Sequence, residues 1–471
     1  TANGVPVCVF PLCGGTRPAI TSDGNGGALI AWQQDLTGDD ENILMRRVLS
    51  TGAIADGWPP SGTPVTRAPG HQYLSGMVPD GEGGAFLVWY DWPNYDIYAQ
   101  HVLDNGQIAP GWPPNGLPVC AMPGTQGAPD FPDPLIEDGA GGAMIVWHDD
   151  RPSLTSWDVY GLRLSGDGTR PPGWPENGLG VCTYAAGQGG PMLVSDGEGG
   201  FLVLWHDARN GVNDIFGQRL LASGEVASGW PADGRLIVPS VGGYRVNTMV
   251  ASDGAGGAYL GWTLVPGPFT YEDDVYAIRI IADGSIAPGW PPGGYPVSTR
   301  SFTQNLTSIV EDGAGGVLLA WYDSLEQPSV VFVQRLGPNG SPALGWPASG
   351  IRASNLLGWQ VIPRLTGDGN GGAYVAMEID LRGGFEGFVQ HLLVDGTRAP
   401  GWPASAIPFV NPTALSGQQD PAIVSDGRGG ATVTWDGSHD GYQFEIYAQR
   451  YFGDGPTPVL VSLVIVDAAP D

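Results

Sequence analysis

The feature that most constrains this chain is a pentapeptide, Asp-Gly-x-Gly-Gly, that occurs eight times. The copies begin at Asp23, Asp80, Asp138, Asp196, Asp253, Asp312, Asp368 and Asp426, with spacings of 56 to 59 residues. Nine residues after the aspartate stands a tryptophan, at Trp32, Trp89, Trp147, Trp205, Trp262, Trp321 and Trp435, and Met377 replaces it in the seventh copy. A motif with so regular a period predicts eight copies of one structural unit.

Each copy has the pattern of four β-strands. An apolar segment precedes the pentapeptide, whose glycines suit a tight hairpin turn because they adopt positive φ at little cost. A nearly continuous apolar run follows, as in Ala85 to Trp89, and then a segment that alternates apolar and polar residues, as in Asp96 to Val102. A long turn that ends in Gly-Trp-Pro leads to a short fourth strand. Helix is predicted almost nowhere.

A four-stranded sheet of this size cannot bury both faces alone, so eight of them are expected to stack around an axis. The predicted fold is all-β: an eight-bladed β-propeller of four-stranded antiparallel blades over residues 1–455. The last copy stops matching after Tyr451 and lacks a fourth strand, whereas the segment from Asn3 to Cys8 matches Asn115 to Cys120. We therefore expect the N-terminal strand to complete blade 8 and close the ring.

Residues 456–471 lie outside the repeat and are strongly β-prone and apolar. They have two interpretations: the first strand of a following domain that is cut off here, or a strand donated to another subunit by β-augmentation. The donated strand would consist of Val459, Leu460, Val461, Leu463, Val464, Ile465 and Val466.

Composition excludes several functions. All 20 basic residues are arginine, so chemistry that depends on lysine, such as a Schiff base or a P-loop, is excluded. The net charge of −28 repels phosphate backbones and argues against nucleic acid as a partner. No apolar run approaches the length of a membrane span, so no membrane insertion is expected.

The four cysteines do not have the spacing of a zinc site. Cys8, Cys120 and Cys182 share one repeat position, and Cys13 is additional. A disulfide between Cys8 and Cys13 would close a small loop, and geometry decides whether it forms. An oxidising, extracellular setting fits the absence of lysine and the glycine-rich, polar loops.

The repeat, with Asp-Gly-x-Gly-Gly-Ala, then Trp-x-Asp, then Asp-Ile-Tyr-Ala-Gln-Arg, resembles the repeats of large secreted bacterial β-propeller proteins. Those proteins often end in a C-terminal sorting or immunoglobulin-like module. The resemblance covers about residues 1–455 and implies secretion or surface display. The strand order is also similar to that of other propellers whose first strands carry an Asp-Gly turn.

Acidic residues cluster in the loops between the second and third strands. Oxygen-rich loops suit calcium, and the richest candidates are Asp39, Asp40 and Glu41 and, in another blade, Glu272, Asp273 and Asp274. Neither segment has EF-hand spacing, and solvated loop charge is the alternative. Further acids, such as Asp149 and Asp207, recur eleven residues after the repeat aspartate. They suit the binding of calcium or a polyhydroxylated ligand; the alternative is a structural role in their own loop.

Two further sets of residues are candidates for a glycan site. Glutamines stand eight residues before the repeat aspartate, where they could ring the channel mouth or cap their own loops, at Gln72, Gln188, Gln304, Gln360 and Gln418. Trp92, Trp157 and Trp359 lie outside the repeat pattern and offer rings on which sugars stack. The third strand of every blade also carries an arginine or histidine, which we expect to pair between blades.

No enzyme signature is present: neither a Gly-x-Ser-x-Gly elbow nor a His-Glu-x-x-His motif. The first hypothesis is a non-catalytic extracellular propeller for binding or adhesion, with a glycan or a surface protein as its partner. The second is a structural subunit of a filament or surface layer, self-assembled through residues 456–471. The third is a polysaccharide hydrolase or lyase that acts at the channel mouth. No cofactor other than calcium is suggested.

Overall fold

The structure is a computed structural model, and it describes the greater part of the chain. The described residues are 5–8, 15–35, 41–127, 134–151, 156–240, 242–267, 272–324, 328–381, 383–409, 416–438 and 444–452. Among them the regular elements are all strands, and no helix long and apolar enough to cross a membrane is found.

The strands, numbered β1 to β33 in chain order, form eight antiparallel sheets, the blades. Blade 1 contains β2 (Gly15–Ser22), β3 (Ala28–Asp35), β4 (Glu41–Val48) and β5 (Thr63–Pro64). Blade 2 contains β6 (His71–Pro79), β7 (Ala85–Trp92), β8 (Ile97–Val102) and β9 (Leu117–Cys120). Blade 3 contains β10 (Gln126–Gly127), β11 (Leu135–Glu137), β12 (Ala143–Asp149), β13 (Asp158–Leu164) and β14 (Leu179–Cys182). Blade 4 contains β15 (Gln188–Ser195), β16 (Phe201–Asp207), β17 (Asp214–Leu220) and β18 (Arg235–Val238).

The second half of the ring repeats this arrangement. Blade 5 contains β19 (Tyr244–Ser252), β20 (Ala258–Val265), β21 (Asp274–Ile280) and β22 (Tyr295–Ser298). Blade 6 contains β23 (Gln304–Glu311), β24 (Val317–Asp323), β25 (Val330–Leu336) and β26 (Ile351–Arg352). Blade 7 contains β27 (Trp359–Gly367), β28 (Ala373–Asp380), β29 (Phe385–Leu392) and β30 (Ile407–Pro408). Blade 8 contains β31 (Ser416–Ser425), β32 (Ala431–Ser438), β33 (Phe444–Tyr451) and β1 (Val5–Cys8).

The N-terminal strand closes the ring. Val5 pairs with Ala448 of the last repeat, so β1 is the fourth strand of blade 8. Between blades 1 and 8, the side chain of Arg46 donates a hydrogen bond to the carbonyl oxygen of Val7. The predicted eight-bladed propeller, closed by its own N-terminus, is confirmed. On the outside of the ring the sheet edges are the short fourth strands, and the first strands form the inner edges.

The pentapeptide is held by its own aspartate. In blade 1, Oδ1 of Asp23 accepts hydrogen bonds from the backbone N–H groups of Asn25 and Gly27, each at 2.8 Å. The first and third positions after the aspartate, Gly24 and Gly26, have φ of 70° and 83°. Glycine is required at such positions because a Cβ atom makes positive φ costly.

The repeat aspartates also bind the cations of the third strands, at Arg47, His101, Arg163, Arg219, Arg279, Arg335, His391 and Arg450. The prediction that these cations pair between blades is wrong for the salt bridge to the repeat aspartate, which lies within one blade. Arg47 also has a longer ion pair of 3.9 Å with Asp104 of the next blade. The link to the next blade is a hydrogen bond to a backbone carbonyl, as from Nη1 of Arg163 to Ala222 at 3.1 Å. One side chain therefore fixes both its own turn and the adjacent blade.

The tryptophans of the Gly-Trp-Pro turns lie between blades. Trp58, Trp112 and the corresponding residues of the other blades are buried. The indole N–H of Trp58 donates to the carbonyl of Asp104, at 3.1 Å, and that of Trp112 donates to Gly166, at 2.8 Å. These tryptophans join neighbouring sheets, which agrees with a packing role.

The cysteines fall into two groups. Cys8 is disulfide-bonded, whereas Cys120 and Cys182 are free and buried. The predicted partner of Cys8, Cys13, lies outside the described residues. The same holds for the proposed assembly strand at 459–466, so both interpretations of residues 456–471 stay open.

Candidate functional site

Antiparallel topology brings three kinds of connection to one face of the ring. The first strand of each blade begins there, the second strand ends there and the third strand begins there. We call it the B–C face, because it carries the loops between second and third strands. The Asp-Gly turns lie at the opposite end of the strands. The sequence candidates for ligand binding all lie towards the B–C face.

The five glutamines are buried, so they do not present their amides to the channel mouth, which was one of their two interpretations. Gln72, Gln188, Gln304, Gln360 and Gln418 are each at most 1% exposed. Their side-chain amides hold loop backbone instead, as from Nε2 of Gln304 to the carbonyl of Arg300, at 2.9 Å. Oε1 of Gln360 accepts the N–H of Val331, at 3.1 Å, so the other end of this amide is also used. The loop-capping alternative is the one observed.

The three tryptophans outside the repeat pattern are exposed, as expected. Trp92, Trp157 and Trp359 keep 45%, 36% and 46% of their surface accessible. Tyr184, Tyr244 and Phe302 are also exposed, and each lies just before or at the start of a first strand. The B–C face therefore presents apolar rings from several blades to solvent.

The first strands line a central channel and carry β-bulges. The pairing register shifts between Thr16 and Ala19 and, in blade 8, between Gln419 and Ala422. The residues at these bulges, Arg17 and Asp420, have φ of 52° and 49°. Positive φ is strained for such side chains, and bulges and strained residues are frequent beside functional sites.

Two cavities open along the channel. The larger, of about 820 Å³, is lined by first-strand residues that include Arg17, Asn247 and Arg364. The smaller, of about 430 Å³, lies between blades 8, 1 and 2, and we call it the mouth cavity. It is lined by Thr16, Arg17, Gln33, Glu41, Tyr73, Gln419, Asp420 and Asp436. Pockets that bind small molecules typically have volumes of about 300 to 1,000 Å³.

Asp436 is the most strongly perturbed group at the mouth cavity. It is 3% exposed, and it accepts hydrogen bonds from the backbone N–H groups of Gln419 and Arg17. Its Oδ1 atom has no hydrogen-bond partner among the described residues. Burial, and then the charges of Asp420 and Glu378, raise the pKa of Asp436 to about 8. This carboxyl group therefore keeps its proton at neutral pH.

Glu378 is the second buried acid of this group and is also 3% exposed. Its Oε1 accepts the backbone N–H of Asp420, at 2.8 Å. Burial raises the pKa of Glu378 to about 7. Both buried acids thus contact the bulge at the start of the next blade around the ring.

An aromatic track leads from the mouth cavity to the surface of blade 2. Tyr73, in the cavity wall, lies 5.1 Å from the ring of Tyr90. Tyr90 is 6.0 Å from Tyr95, and Tyr95 is 5.2 Å from the exposed Trp92. Four neighbouring rings therefore connect solvent with the acids of the cavity.

Those of the predicted calcium positions that the structure describes do not converge on a metal site. Asp39 and Asp40 lie outside the described residues. Glu41 lines the mouth cavity and lies 3.6 Å from His71, while Glu272 is exposed and Asp273 and Asp274 are partly buried. Within the described ranges, no three acidic, histidine or cysteine side chains converge so that they could hold a metal ion.

The recurring acids after the second strand have structural partners. Asp207 accepts the indole N–H of Trp205, at 2.9 Å, and binds Arg209, at 2.7 Å. Asp149 has the equivalent contacts with Trp147 and Arg151. These carboxylates hold their own loops, which was the structural alternative.

Sequence reasoning missed Asp436, Glu378, Asp420, Arg17 and Tyr73. A signal was present, because ten residues after the repeat aspartate the other blades carry neutral or histidine side chains, whereas blades 7 and 8 carry Glu378 and Asp436. Six residues before that aspartate, only Arg17 and Asp420 are charged. Comparison of each repeat position across the blades would have identified these four, but not Tyr73.

Neither a protein-family model nor a curated protein matches the chain. Solved structures with a similar arrangement include a puromycin hydrolase mutant, with 13% identity and a TM-score of 0.47, over 93% of this chain and 62% of that one. An ulvan lyase has 12% identity and a TM-score of 0.44, over 97% and 95% of the two chains. Another polysaccharide lyase has 10% identity and a TM-score of 0.45, over 79% and 88%. The chain thus spans less than two thirds of the puromycin hydrolase, and at these identities and scores the matches carry no argument about activity.

Proposed function

We propose that this chain is an extracellular binding propeller whose B–C face binds a glycan. The observation that carries the proposal is the aromatic track from Trp92 through Tyr95 and Tyr90 to Tyr73, which ends at a polar cavity. Sugar rings stack on aromatic faces, and their hydroxyl groups need hydrogen-bonding partners close by. The track offers the aromatic faces, and the mouth cavity offers the hydrogen-bonding partners.

The extracellular setting remains part of the proposal. The disulfide bond of Cys8 supports it, because disulfides persist in oxidising compartments. The resemblance of the repeat to secreted bacterial propellers supports it as well. A surface protein as the partner, or self-assembly through residues 456–471, would use other surfaces and stays a prediction.

The test is binding of the full chain to a glycan array and then calorimetry with the best oligosaccharide. Trp92→Ala and Tyr95→Ala are expected to weaken binding at least tenfold each, the equivalent of about 1.4 kcal/mol. Leu344→Ala is the control, since this side chain is 95% exposed and lies beyond the opposite end of the strands. Unchanged affinity in both aromatic variants, or no binding to any glycan of the array, would disprove the proposal.

A polysaccharide hydrolase or lyase is the second candidate, and Asp436 is the observation that favours it. Glycosidases pair a protonated carboxyl group, as general acid, with an ionised one. Asp436 has the required pKa, and Asp420 is an exposed acid at the same cavity. If this candidate is correct, polysaccharide incubated with the protein gains new chain ends, and Asp436→Asn abolishes the reaction but not binding.

A further inference from the structure

A neutral side chain can make the hydrogen bond that Asp436 and Glu378 make to the next blade. In blade 5 the equivalent residue is Thr263, whose hydroxyl accepts the backbone N–H of Leu306, at 3.0 Å. Leu306 lies at the bulge position of the next blade, as Arg17 and Asp420 do for Asp436 and Glu378. A neutral side chain therefore performs the same structural contact, and the ionisable carboxyl groups in blades 7 and 8 are additional.

Most buried acids elsewhere in the ring have a cationic partner, although, in the part of the chain that the structure describes, Asp158 and Asp214 do not. Asp196, for example, is 2.8 Å from Arg219, and Asp207 is 2.7 Å from Arg209. Among the described residues, Asp436 and Glu378 form no such ion pair. A buried carboxylate without a partner is costly, so these groups hold their protons more tightly in the free chain, and a cation from outside the chain would favour their ionised form.

The groups that face Asp436 are mostly acidic. Asp420 and Glu378 raise its pKa by their charge, and Glu41 lies in the wall of the same cavity. Arg17 lines the cavity too, yet its guanidinium is not among the charges that act on Asp436. Arg364 is the cation of this group, and its charge acts on both Asp420 and Glu378. Tyr73 completes the titratable wall. Asp436 lines this cavity, and its buried Oδ1 atom has no hydrogen-bond partner among the described residues.

We propose that the mouth cavity binds the ammonium group of an amino sugar, with Asp436, Asp420 and Glu378 as its counter-charges. The inference rests on the proposed glycan binding and specifies its ligand class. An ammonium group donates three hydrogen bonds, and charge-assisted bonds to carboxylates are the strong ones. The aromatic track stacks the sugar rings, and the net charge of −28 attracts a cationic chain over long distances.

The experiment compares two ligands that share one sugar backbone and differ in whether the amine is free and cationic or acetylated and neutral. Calorimetry with the full chain at pH 6.5 uses a β-1,4-linked glucosamine tetramer and its fully N-acetylated counterpart. The glucosamine tetramer is expected to bind at least tenfold more tightly, and this preference is expected to shrink as added salt screens the charges. Because Asp436 holds its proton at pH 6.5 and Glu378 mostly does, binding of the ammonium group is also expected to displace protons, seen as a heat that depends on the buffer.

Variants test the residues. Asp436→Asn and Glu378→Gln keep the acceptors for the bulges and remove the charge, and each is expected to lower the affinity for the glucosamine tetramer at least tenfold. Glu176→Gln, an exposed acid, is the control. Either variant suffices if the other fails to fold.

The outcomes separate this inference from the proposed function. Equal affinity for the two tetramers, or a glucosamine affinity that both acid variants retain, overturns the amino-sugar site and leaves glycan binding intact. If the protein binds neutral glycans of the array but neither tetramer, the amino-sugar site is also overturned and glycan binding is left intact. Absence of all glycan binding overturns both proposals.

Discussion

Ala406 packs in the same core as Met377, at the turn position where six other blades place a glycine beside a tryptophan. In blade 1, for example, a Cβ atom on Gly62 would lie 2.6 Å from the indole of Trp32. Glycine is therefore needed wherever the second strand carries the tryptophan. In blade 7 the smaller Met377 leaves room, so an alanine is accommodated despite its φ of 64°. The two departures from the repeat compensate each other.

This relationship predicts a coupled pair of substitutions. Met377→Trp alone is expected to destabilise the protein by about 1 to 3 kcal/mol, because the indole overlaps the methyl group of Ala406. Met377→Trp with Ala406→Gly is expected to recover most of that loss, since it restores the pair of the other blades. Urea unfolding of the four proteins of the double-mutant cycle measures the coupling. As a control, Ala404→Gly in the same turn should not rescue Met377→Trp, and strictly additive effects at 377 and 406 would contradict the argument.

Closure of the ring predicts the effect of Arg450→Ala. Arg450 binds Asp426 of its own blade and donates a hydrogen bond of 2.9 Å to the carbonyl of Ser50 in blade 1. The substitution leaves Asp426 buried without its cation, at an expected cost of about 2 to 4 kcal/mol. Arg67→Ala, at an exposed arginine, should cost less than about 0.5 kcal/mol. Equal unfolding midpoints for the two variants would rule out a closing role for Arg450.

The two buried acids predict how stability depends on pH. The pKa of Asp436 is raised to about 8 and that of Glu378 to about 7, above the ordinary carboxyl values that apply in the unfolded chain. The folded protein therefore binds more protons than the unfolded chain between about pH 4 and pH 8, and stability falls as the pH rises through this interval.

Asp436→Asn removes one titrating group and should flatten this dependence. The variant is expected to be more stable than the native protein at pH 8, by on the order of 2 kcal/mol, and not at pH 4, where both states hold the proton. Guanidinium unfolding at both pH values measures the difference. For Glu176→Gln, the difference in unfolding free energy from the native protein should be the same at both pH values. If Asp436→Asn changes the unfolding free energy equally at both pH values, its effect does not come from titration of this group.

The thiols predict a pattern of chemical reactivity. Cys120 and Cys182 are at most 1% exposed, and burial raises their pKa values to about 11 and about 12. Because the thiolate is the reactive form, iodoacetamide at pH 8 should leave both unmodified in the folded protein and modify both after unfolding. Mass spectrometry of unreduced peptides should also find Cys8 linked to Cys13. Rapid alkylation of either buried thiol in the folded state, or a different partner for Cys8, would contradict these expectations.

The amino-acid sequence alone determined the number of blades, the four-strand unit and the closure by the N-terminal strand. The physical reason is that these depend on periodicity: glycines mark each turn, apolar runs mark each buried strand, and the match between Asn3–Cys8 and Asn115–Cys120 supplies the missing strand. The exposure of Trp92, Trp157 and Trp359 followed from the same logic, because residues outside the pattern are not needed for packing.

Only the tertiary structure decided where the glutamines point and which acids share a cavity. Gln304 and its equivalents are polar in the sequence, yet local carbonyl groups use their amides and remove them from solvent. Asp436, Asp420 and Arg17 lie in different blades or different strands and meet because bulges turn the first strands at the channel. Contacts between chain-distant residues depend on strand register and burial, which a repeat pattern does not encode.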